Sequence, residues 1–270
     1  GTQTLSLTAG TGNIDFDGIV GGSNALDAVT IVSAANVTAD AAFSAASIDQ
    51  QAGTGTTTFS GVVTTTAAGT NFTLDTATID IDADVNTNGG SVDLDATTLV
   101  DLDAAATITT TGDADGEAGG SIDIDVSGTG TVNLAGDLDT TGNANSSGVG
   151  GAGGAVTIDT LDGTIAVAAI TTSGGADTAG GNTGGAAGNI TLTTGNDNTI
   201  TLNGTLTAVG GASTGTQGAG GNVTLNDPTT LGAGISITTG ATAGTITFAD
   251  MLDGTQTLSL TAGTGNIDFD

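Results

Sequence analysis

The sequence predicts an all-β protein, a right-handed parallel β-helix or β-solenoid, with about three short strands per coil and glycine-rich loops on one edge. Three observations predict this fold. Apolar and polar residues alternate in short runs, similar runs recur at a nearly constant spacing, and many of the 48 glycines separate the runs. Alternation with a period of two is the pattern of a half-buried strand, and short strands that recur at a fixed spacing are typical of a solenoid.

The composition restricts what the chain can bind or catalyse. It has 29 acidic residues and no Lys, Arg, His or Cys, which gives a net charge of −29. This charge disfavours nucleic acid and anionic membrane surfaces as partners, and no apolar run is long enough to insert into a bilayer. Without an imidazole, a thiol, an amine or a guanidinium group, most catalytic bases, nucleophiles and anion clamps are missing. We therefore predict a protein that is not an enzyme and requires no cofactor.

Predicted first strands recur in register through the second half of the chain. Each of them ends in Leu or Ile, and usually begins just after one or two glycines. They lie at 91–94, 121–124, 155–158, 189–192, 222–225 and 255–258. Second strands are predicted at 131–134, 164–167, 199–202, 236–239 and 266–269. In the less regular first half, first strands are predicted to end near Leu5, Ile31, Phe59 and Leu74. A single coil cannot bury its apolar side chains, but stacked coils build one continuous core.

One segment occurs twice without a difference, and we call it the repeated segment. Residues 1–17 read GTQTLSLTAGTGNIDFD, and residues 254–270 repeat them. The sequence therefore predicts a division of the chain into residues 1–253, one period of about nine coils, and residues 254–270, the start of the next identical period. With strands about 4.8 Å apart, nine coils advance about 43 Å along the axis. We expect the second copy to be the next coil of the stack.

Residues 188–211 and 220–225 resemble the repeats of filamentous-haemagglutinin-like adhesins. The shared pattern is glycine followed by Asn-[Ile/Val]-Thr-Leu, a second Ile-Thr-Leu-Asn-Gly strand, and a tail rich in Thr, Ser and Gly. The resemblance covers roughly residues 89–270. It implies a secreted bacterial surface protein with a right-handed β-helix shaft, exported by a dedicated outer-membrane pathway. The chain departs from that family in having no basic residue and in its long period, which takes up residues 1–253.

Acidic residues supply the candidate metal sites. Asp75, Asp95, Asp125 and Asp159 each follow an inward residue of a first strand, and Asp93 and Asp123 form a second, shorter column. Carboxylates about 4.8 Å apart repel one another by roughly 0.9 kcal/mol even in bulk water, whereas Ca²⁺ prefers several carboxylate and carbonyl oxygens.

Two shorter segments are candidate Ca²⁺ loops. Asp84, Asn86 and Asn88, with Asp95 at the twelfth position, match the calcium-loop pattern D-x-N-x-N-G. Asp113, Asp115 and Glu117 form a second turn rich in oxygen ligands. Asx turns at coil corners explain the same residues, so both interpretations stand.

Three hypotheses for function follow. The first is a structural shaft of a secreted cell-surface fibre or adhesin, extended by covalent or end-to-end repetition. Its partner would be the chain itself, with lateral bundling as a further option, and any host-cell, neighbour-cell or surface ligand would bind other parts of the parent protein. The second is binding of ice or another crystal surface by outward threonines at 108–110, 138–140, 170–172 and 206–207. The third is a carbohydrate-active enzyme with two carboxylates, which the composition disfavours.

Overall fold

A computed structural model describes residues 3–67 and 69–270, except for the side chain of Thr70. Gly1 and Thr2 of the first copy of the repeated segment lie outside the described residues. The described residues form 27 strands and one short 3₁₀ turn at Gly195–Asp197. The strands are β1 Leu5–Thr8, β2 Ile14–Phe16, β3 Leu26–Ser33, β4 Val37–Ala39, β5 Phe43–Gln50, β6 Thr56–Phe59, β7 Val63–Thr65, β8 Thr70–Ile81, β9 Val85–Asn86, β10 Ser91–Leu102, β11 Thr107–Thr109, β12 Ile122–Val126, β13 Thr131–Leu134, β14 Asp137–Asp139, β15 Val156–Thr160, β16 Ile165–Val167, β17 Ile170–Thr171, β18 Ile190–Thr194, β19 Ile200–Leu202, β20 Leu206–Thr207, β21 Val223–Leu225, β22 Thr229–Leu231, β23 Ile235–Thr238, β24 Ile246–Phe248, β25 Leu252–Asp253, β26 Leu258–Thr261 and β27 Ile267–Phe269.

All strand pairs are parallel, and each joins a strand to its equivalent one coil further on. The first stack contains β1, β3, β5, β8, β10, β12, β15, β18, β21, β24 and β27. The second stack contains β2, β4, β6, β8, β10, β13, β16, β19, β22 and β25, and the third contains β5, β7, β9, β11, β14, β17, β20, β23 and β26. The long strands β5, β8 and β10 turn a corner and serve two stacks each. The predicted all-β fold is confirmed, and the coiling is consistent with a right-handed parallel β-helix.

Alternation decides which side chains enter the core. In β12 the residues Ile122, Ile124 and Val126 are buried, while Asp123 and Asp125 between them are exposed. Buried Val, Ile, Leu and Ala from all three stacks form one column that runs along the axis. At roughly 25 cal/mol per Å² of buried apolar surface, this shared column is the main favourable term in the fold.

Aromatic rings mark the first coils and the last. Phe16, Phe43, Phe59 and Phe72 form a row of edge-to-face contacts with ring centres 5.2 to 6.1 Å apart. At the other end Phe269 stacks on Phe248 with ring centres 5.1 Å apart. Phe43, Phe59, Phe72 and Phe248 are fully buried in the core, whereas Phe269 in the last coil is 59% exposed.

The stacks confirm most of the predicted strand order. Five predicted first strands lie in the first stack, as parts of β10, β12, β15, β18 and β21. The predicted second strands at 131–134, 164–167 and 199–202 are likewise confirmed by β13, β16 and β19. In the first half, Leu5, Ile31 and Leu74 belong to the first stack, but Phe59 belongs to the second, and Ile48–Gln50 fills the first-stack position.

Three predictions near the C-terminal end, at 236–239, 255–258 and 266–269, are wrong for one reason. Residues 236–239 lie in the third stack and not the second, because Thr229–Leu231 already fills the second-stack position. Consequently Ile246–Phe248 forms the next first strand, and Ile246 pairs directly with Val223. The coil between these two residues is short because its corner lacks a long glycine loop. The predicted first strands are evenly spaced, so the sequence pattern gives no sign of this short coil.

The second copy of the repeated segment consequently sits on different stacks from the first. In the first copy β1 lies in the first stack and β2 in the second. In the second copy β26 lies in the third stack and β27 in the first. The second copy does continue the coil, but one stack out of phase with the predicted position. The division at residue 253 itself stays a prediction.

Glycine-rich segments between the third and first stacks form a second ordered layer. We call residues 111–120, 141–155, 173–189 and 209–222 the glycine wing. Hydrogen bonds along the axis recur every third residue, as from the N–H of Gly142 to Ser173 (2.9 Å) and from Asn145 to Ala176 (2.8 Å). A threefold repeat in extended backbone is typical of polyproline II. The predicted loops on one edge are therefore regular, stacked extended arms.

Candidate functional site

The outer side of the first stack carries six aspartates over four consecutive coils. Asp75 of β8, Asp95 of β10, Asp125 of β12 and Asp159 of β15 are direct register partners, so the predicted column is confirmed. Asp93 and Asp123 are register partners beside it. We call these six residues the acidic face. They lie outside because the residues between them, such as Leu94 and Ile124, occupy the core.

The acidic face shifts the ionisation of its own members. Partial burial raises the pKa of Asp95, Asp123 and Asp125, and the neighbouring carboxylates raise it further. Asp125 is affected by Asp159 and Asp93, which lie one coil away. Both causes disfavour the charged form. The acidic face is thus a region where like charges are held close together by the backbone stack.

A shallow groove of about 430 Å³ runs beside this column. Its lining includes Asp95, Asp125 and Asp159, together with Leu161, which is 64% exposed. The groove crosses three coils, and both carboxylates and the Leu161 side chain contribute to its lining.

The calcium-loop segment is divided between two sides of the solenoid. Asp84 accepts a hydrogen bond from the N–H of Thr107 (2.9 Å), and Asn88 donates one to the carbonyl of Thr65 (2.9 Å). Asn86 lies in the third stack between Thr64 and Thr109. Asp95 lies in the first stack, on the acidic face. The structure therefore does not bring the twelfth residue of the motif to the loop that begins it.

The second candidate turn holds its carboxylates by hydrogen bonds. Glu117 accepts from the N–H groups of Asp113 (3.1 Å) and Ala114 (2.9 Å), and Asp115 accepts from the N–H and the hydroxyl of Ser146. The Ala114 N–H lowers the pKa of Glu117, the Ser146 hydroxyl lowers that of Asp115, and the hydrogen bond with Glu117 raises that of Asp113. Glu117 is thus bonded within its own turn and Asp115 to the next coil, and neither contact has the geometry of an Asx turn.

Among residues 3–67 and 69–270, no group of three or more His, Cys, Asp or Glu side chains is placed to hold a metal ion. Calcium binding stays a prediction. Thermal unfolding with calcium and with a chelator tests it, because a site that stabilises the fold must separate the two melting temperatures. In the same described part of the chain, no helix is long and apolar enough to cross a membrane.

The threonines proposed for surface binding divide into two sets. Thr109, Thr171 and Thr207 face outward in the third stack, in one column with Asp139. Thr110, Thr140 and Thr172 were predicted to face outward, and this is wrong, because all three are fully buried. Alternation along the strand places each of them inside, next to an outward neighbour.

Sequence reasoning missed the task of these inner threonines. Each closes the base of a wing segment, donating its hydroxyl hydrogen to the carbonyl of a glycine. The pairs are Thr110 with Gly120, Thr140 with Gly154 and Thr172 with Gly188, and Thr239 makes the same bond to Gly244 at the short corner, outside the wing. The sequence signal for this bond is a threonine at a buried position of the alternating pattern. It stands before the glycine that precedes the next first strand.

Comparison with known proteins adds no further assignment. No protein-family model, no curated protein and no solved structure matches the chain.

Proposed function

We propose that this chain is part of the structural shaft of a secreted cell-surface fibre, with a mechanical and non-enzymatic role. The observation that carries the proposal is the behaviour of the repeated segment. At either end of the described chain it folds as a coil of the same stack, and never as a separate unit. A repeated sequence that continues a stack is what a chain needs to extend along an axis.

Two further features support a shaft. The parallel ladders continue along the whole described chain, so length is added without a new core. Among the described strands, β1 and β2 at one end and β25, β26 and β27 at the other pair on one side only. Unpaired strand edges favour association with another strand. In a fibre these edges are covered by the next coils of the same or another chain.

The test is a comparison of one period with two. A chain with residues 1–253 followed by a second copy of residues 1–270 is compared with residues 1–270 alone by electron microscopy. We expect thin unbranched rods, and the added period should lengthen them by about 46 Å, since it adds nine and two thirds coils about 4.8 Å apart. Compact particles, or a second period that forms a separate globule, would contradict the proposal.

Binding of ice or another crystal surface is the second candidate, because one outward column favours it. Thr64, Thr109, Thr171, Thr207, Thr238 and Thr261 share this column with Asn86 and Asp139. The column is a single side chain wide and interrupted by a charge. A thermal-hysteresis measurement on the chain, with Thr171→Lys as the matched variant, decides it. Equal freezing and melting points for the unmodified chain would remove this candidate.

A further inference from the structure

The two copies of the repeated segment make the same local turn at different corners. The N–H of Gly12 donates to the carbonyl of Ala9 at 3.0 Å, and the N–H of Gly265 donates to Ala262 at 2.8 Å. Gly10 and Gly263 have φ values of 63° and 59°. The first copy uses this turn between the first and second stacks, and the second copy uses it between the third and first. The sequence therefore fixes the turn but leaves open which corner it occupies.

The phase difference gives the number of coils in one period. Leu5 lies in the first stack of the first coil, and its equivalent Leu258 lies in the third stack of the tenth coil. One period, from residue 1 to residue 253, therefore contains nine and two thirds coils. A whole number of coils would return Leu258 to the first stack.

We infer that successive periods in a fibre are rotated by one side of the solenoid, about a third of a turn. This inference rests on the proposed function, because it requires that periods follow one another. Each strand that lies in the first stack in one period has its equivalent in the third stack in the next period. The glycine wing then projects from a different corner, and the acidic face points in a different direction. The arrangement repeats after three periods, or 29 coils, which is about 140 Å along the axis.

The surface of such a fibre therefore differs from that of a filament in which every period faces the same way. Acidic faces are distributed over all three sides of the rod, separated along the axis by other surface types. Two parallel fibres therefore cannot meet along one continuous acidic face, and a polyvalent cationic partner must bind in separate patches. Each terminal coil therefore contacts a second copy of this chain, and that copy is rotated about the fibre axis relative to the first.

A two-period chain with one spin label per period tests the rotation. Val149 is 55% exposed in the glycine wing and the chain has no cysteine, so Val149→Cys and the equivalent change in the second period give two specific labels. In the matched control chain, a second copy of residues 232–245 between Asp253 and Gly254 adds one third-stack strand and its corner. The second period then starts again on the first stack.

We expect a label separation clearly greater than the axial rise of about 46 Å in the unmodified tandem. In the control the separation should approach the axial rise of ten coils, about 48 Å, because the labels lie above one another. Rods with the same near-axial separation in both chains would overturn the rotation and leave the shaft proposal intact. Compact particles in electron microscopy would overturn the shaft proposal and, with it, the rotation.

Discussion

The solenoid body and the glycine wing solve the same packing problem in opposite ways. Both stack parallel backbone segments along one axis through hydrogen bonds. The body fills its interior with side chains such as Ile124 and Ile158, whereas the buried residues of the wing are glycines apart from Asp177, and Gly185 lies directly against the backbone of Gly151 in the preceding coil. A side chain is therefore required in one region and excluded in the other.

This difference explains why glycine is so abundant in one part of each coil. An added Cβ at Gly154 would lie 2.0 Å from the carbonyl oxygen of Gly120, and one at Gly188 would lie 2.0 Å from that of Gly154. Each arm also donates sideways, as from Gly185 to Gly175 and from Gly175 to Gly151 (both 2.8 Å). Backbone hydrogen bonds in two directions at this distance leave no room for a β-carbon.

The largest expected effect is a cavity in the body. Ile158 is fully buried between Ile124 and Leu192 of the neighbouring coils. Ile158→Ala should lower the free energy of unfolding by about 2–5 kcal/mol, from lost transfer energy and an unfilled cavity. Urea unfolding measures it. Ile19→Ala, at a side chain 67% exposed, is the control and should change stability by less than about 0.5 kcal/mol. Equal losses for both would show that the body is not packed by its side chains.

The reverse substitution tests the wing. Gly185→Ala places a Cβ 1.8 Å from the carbonyl oxygen of Gly151, so the stacked arms must separate. We expect a loss of about 1–3 kcal/mol, the usual cost of overpacking. Hydrogen exchange should show that the loss concentrates in residues 173–189 and the arms beside them.

Gly18→Ala is the matched control, because nothing lies within 4 Å of its added Cβ. It should be neutral, or stabilise by a few tenths of a kcal/mol through the unfolded chain. A wing that tolerates Gly185→Ala as well as Gly18→Ala would contradict the close packing of its arms.

The third effect concerns the junction between the two regions. Thr140 is fully buried, and its hydroxyl donates to the carbonyl of Gly154 at 2.6 Å. Thr140→Val keeps the shape and removes this bond, which should cost about 1 kcal/mol. Thr171→Val, on the outer side of the neighbouring coil, should cost less. If the two variants are equally stable, the inner threonines do not fasten the wing to the body.

The body could be predicted from the sequence far better than the wing. Leu94, Ile124 and Ile158 were correctly aligned, because a period of two and a nearly constant spacing between coils are local signals. For the wing the sequence predicts only loops and not the period of three, since glycine gives no pattern of apolar and polar side chains. The phase of the second copy could not be read either. It depends on how many strands lie between Leu225 and Leu258, and not on the copy itself.

The candidate site shows the same division. The acidic columns follow directly from alternation and were predicted in register. Asp84 and Asp95 of the calcium motif do not lie in one loop. In a helix–loop–helix hand the same sequence spacing belongs to a single loop, whereas here a corner and a strand lie between the two residues. Sequence distance is informative only when the path between the residues is known.

Acid should act in opposite directions on body and wing, with the smallest effect of the series. In the body, burial and neighbouring carboxylates raise the pKa of Asp123 and Asp125. The folded state then binds protons more tightly than the unfolded chain. Stability therefore rises as the pH falls through the raised folded-state pKa towards the unfolded value near 3.9. Above the folded-state pKa the charged carboxylates destabilise the folded state.

In the wing the sign is reversed. Burial raises the pKa of Asp177, but the N–H groups of Asn182 and Gly180 outweigh it, so the net shift is downward. Its contribution is complete above the unfolded value near 3.9 and is lost as the pH falls through the lower folded-state pKa.

Two substitutions separate these effects. Asp125→Asn should stabilise the chain slightly at pH 7 and reduce the gain on acidification, because it removes one of the crowded charges. Asp177→Asn should destabilise the wing at pH 7, and its deficit should shrink as the pH falls from about 3.9 towards the lower folded-state pKa, at which the native carboxylate is protonated in turn. Hydrogen exchange in residues 122–126 and 177–182 at pH 7 and at pH 3.5 measures both, after correction for the intrinsic exchange rate. Protection that changes in the same direction in both segments would show that the backbone stack, and not the local carboxylates, sets the response to acid.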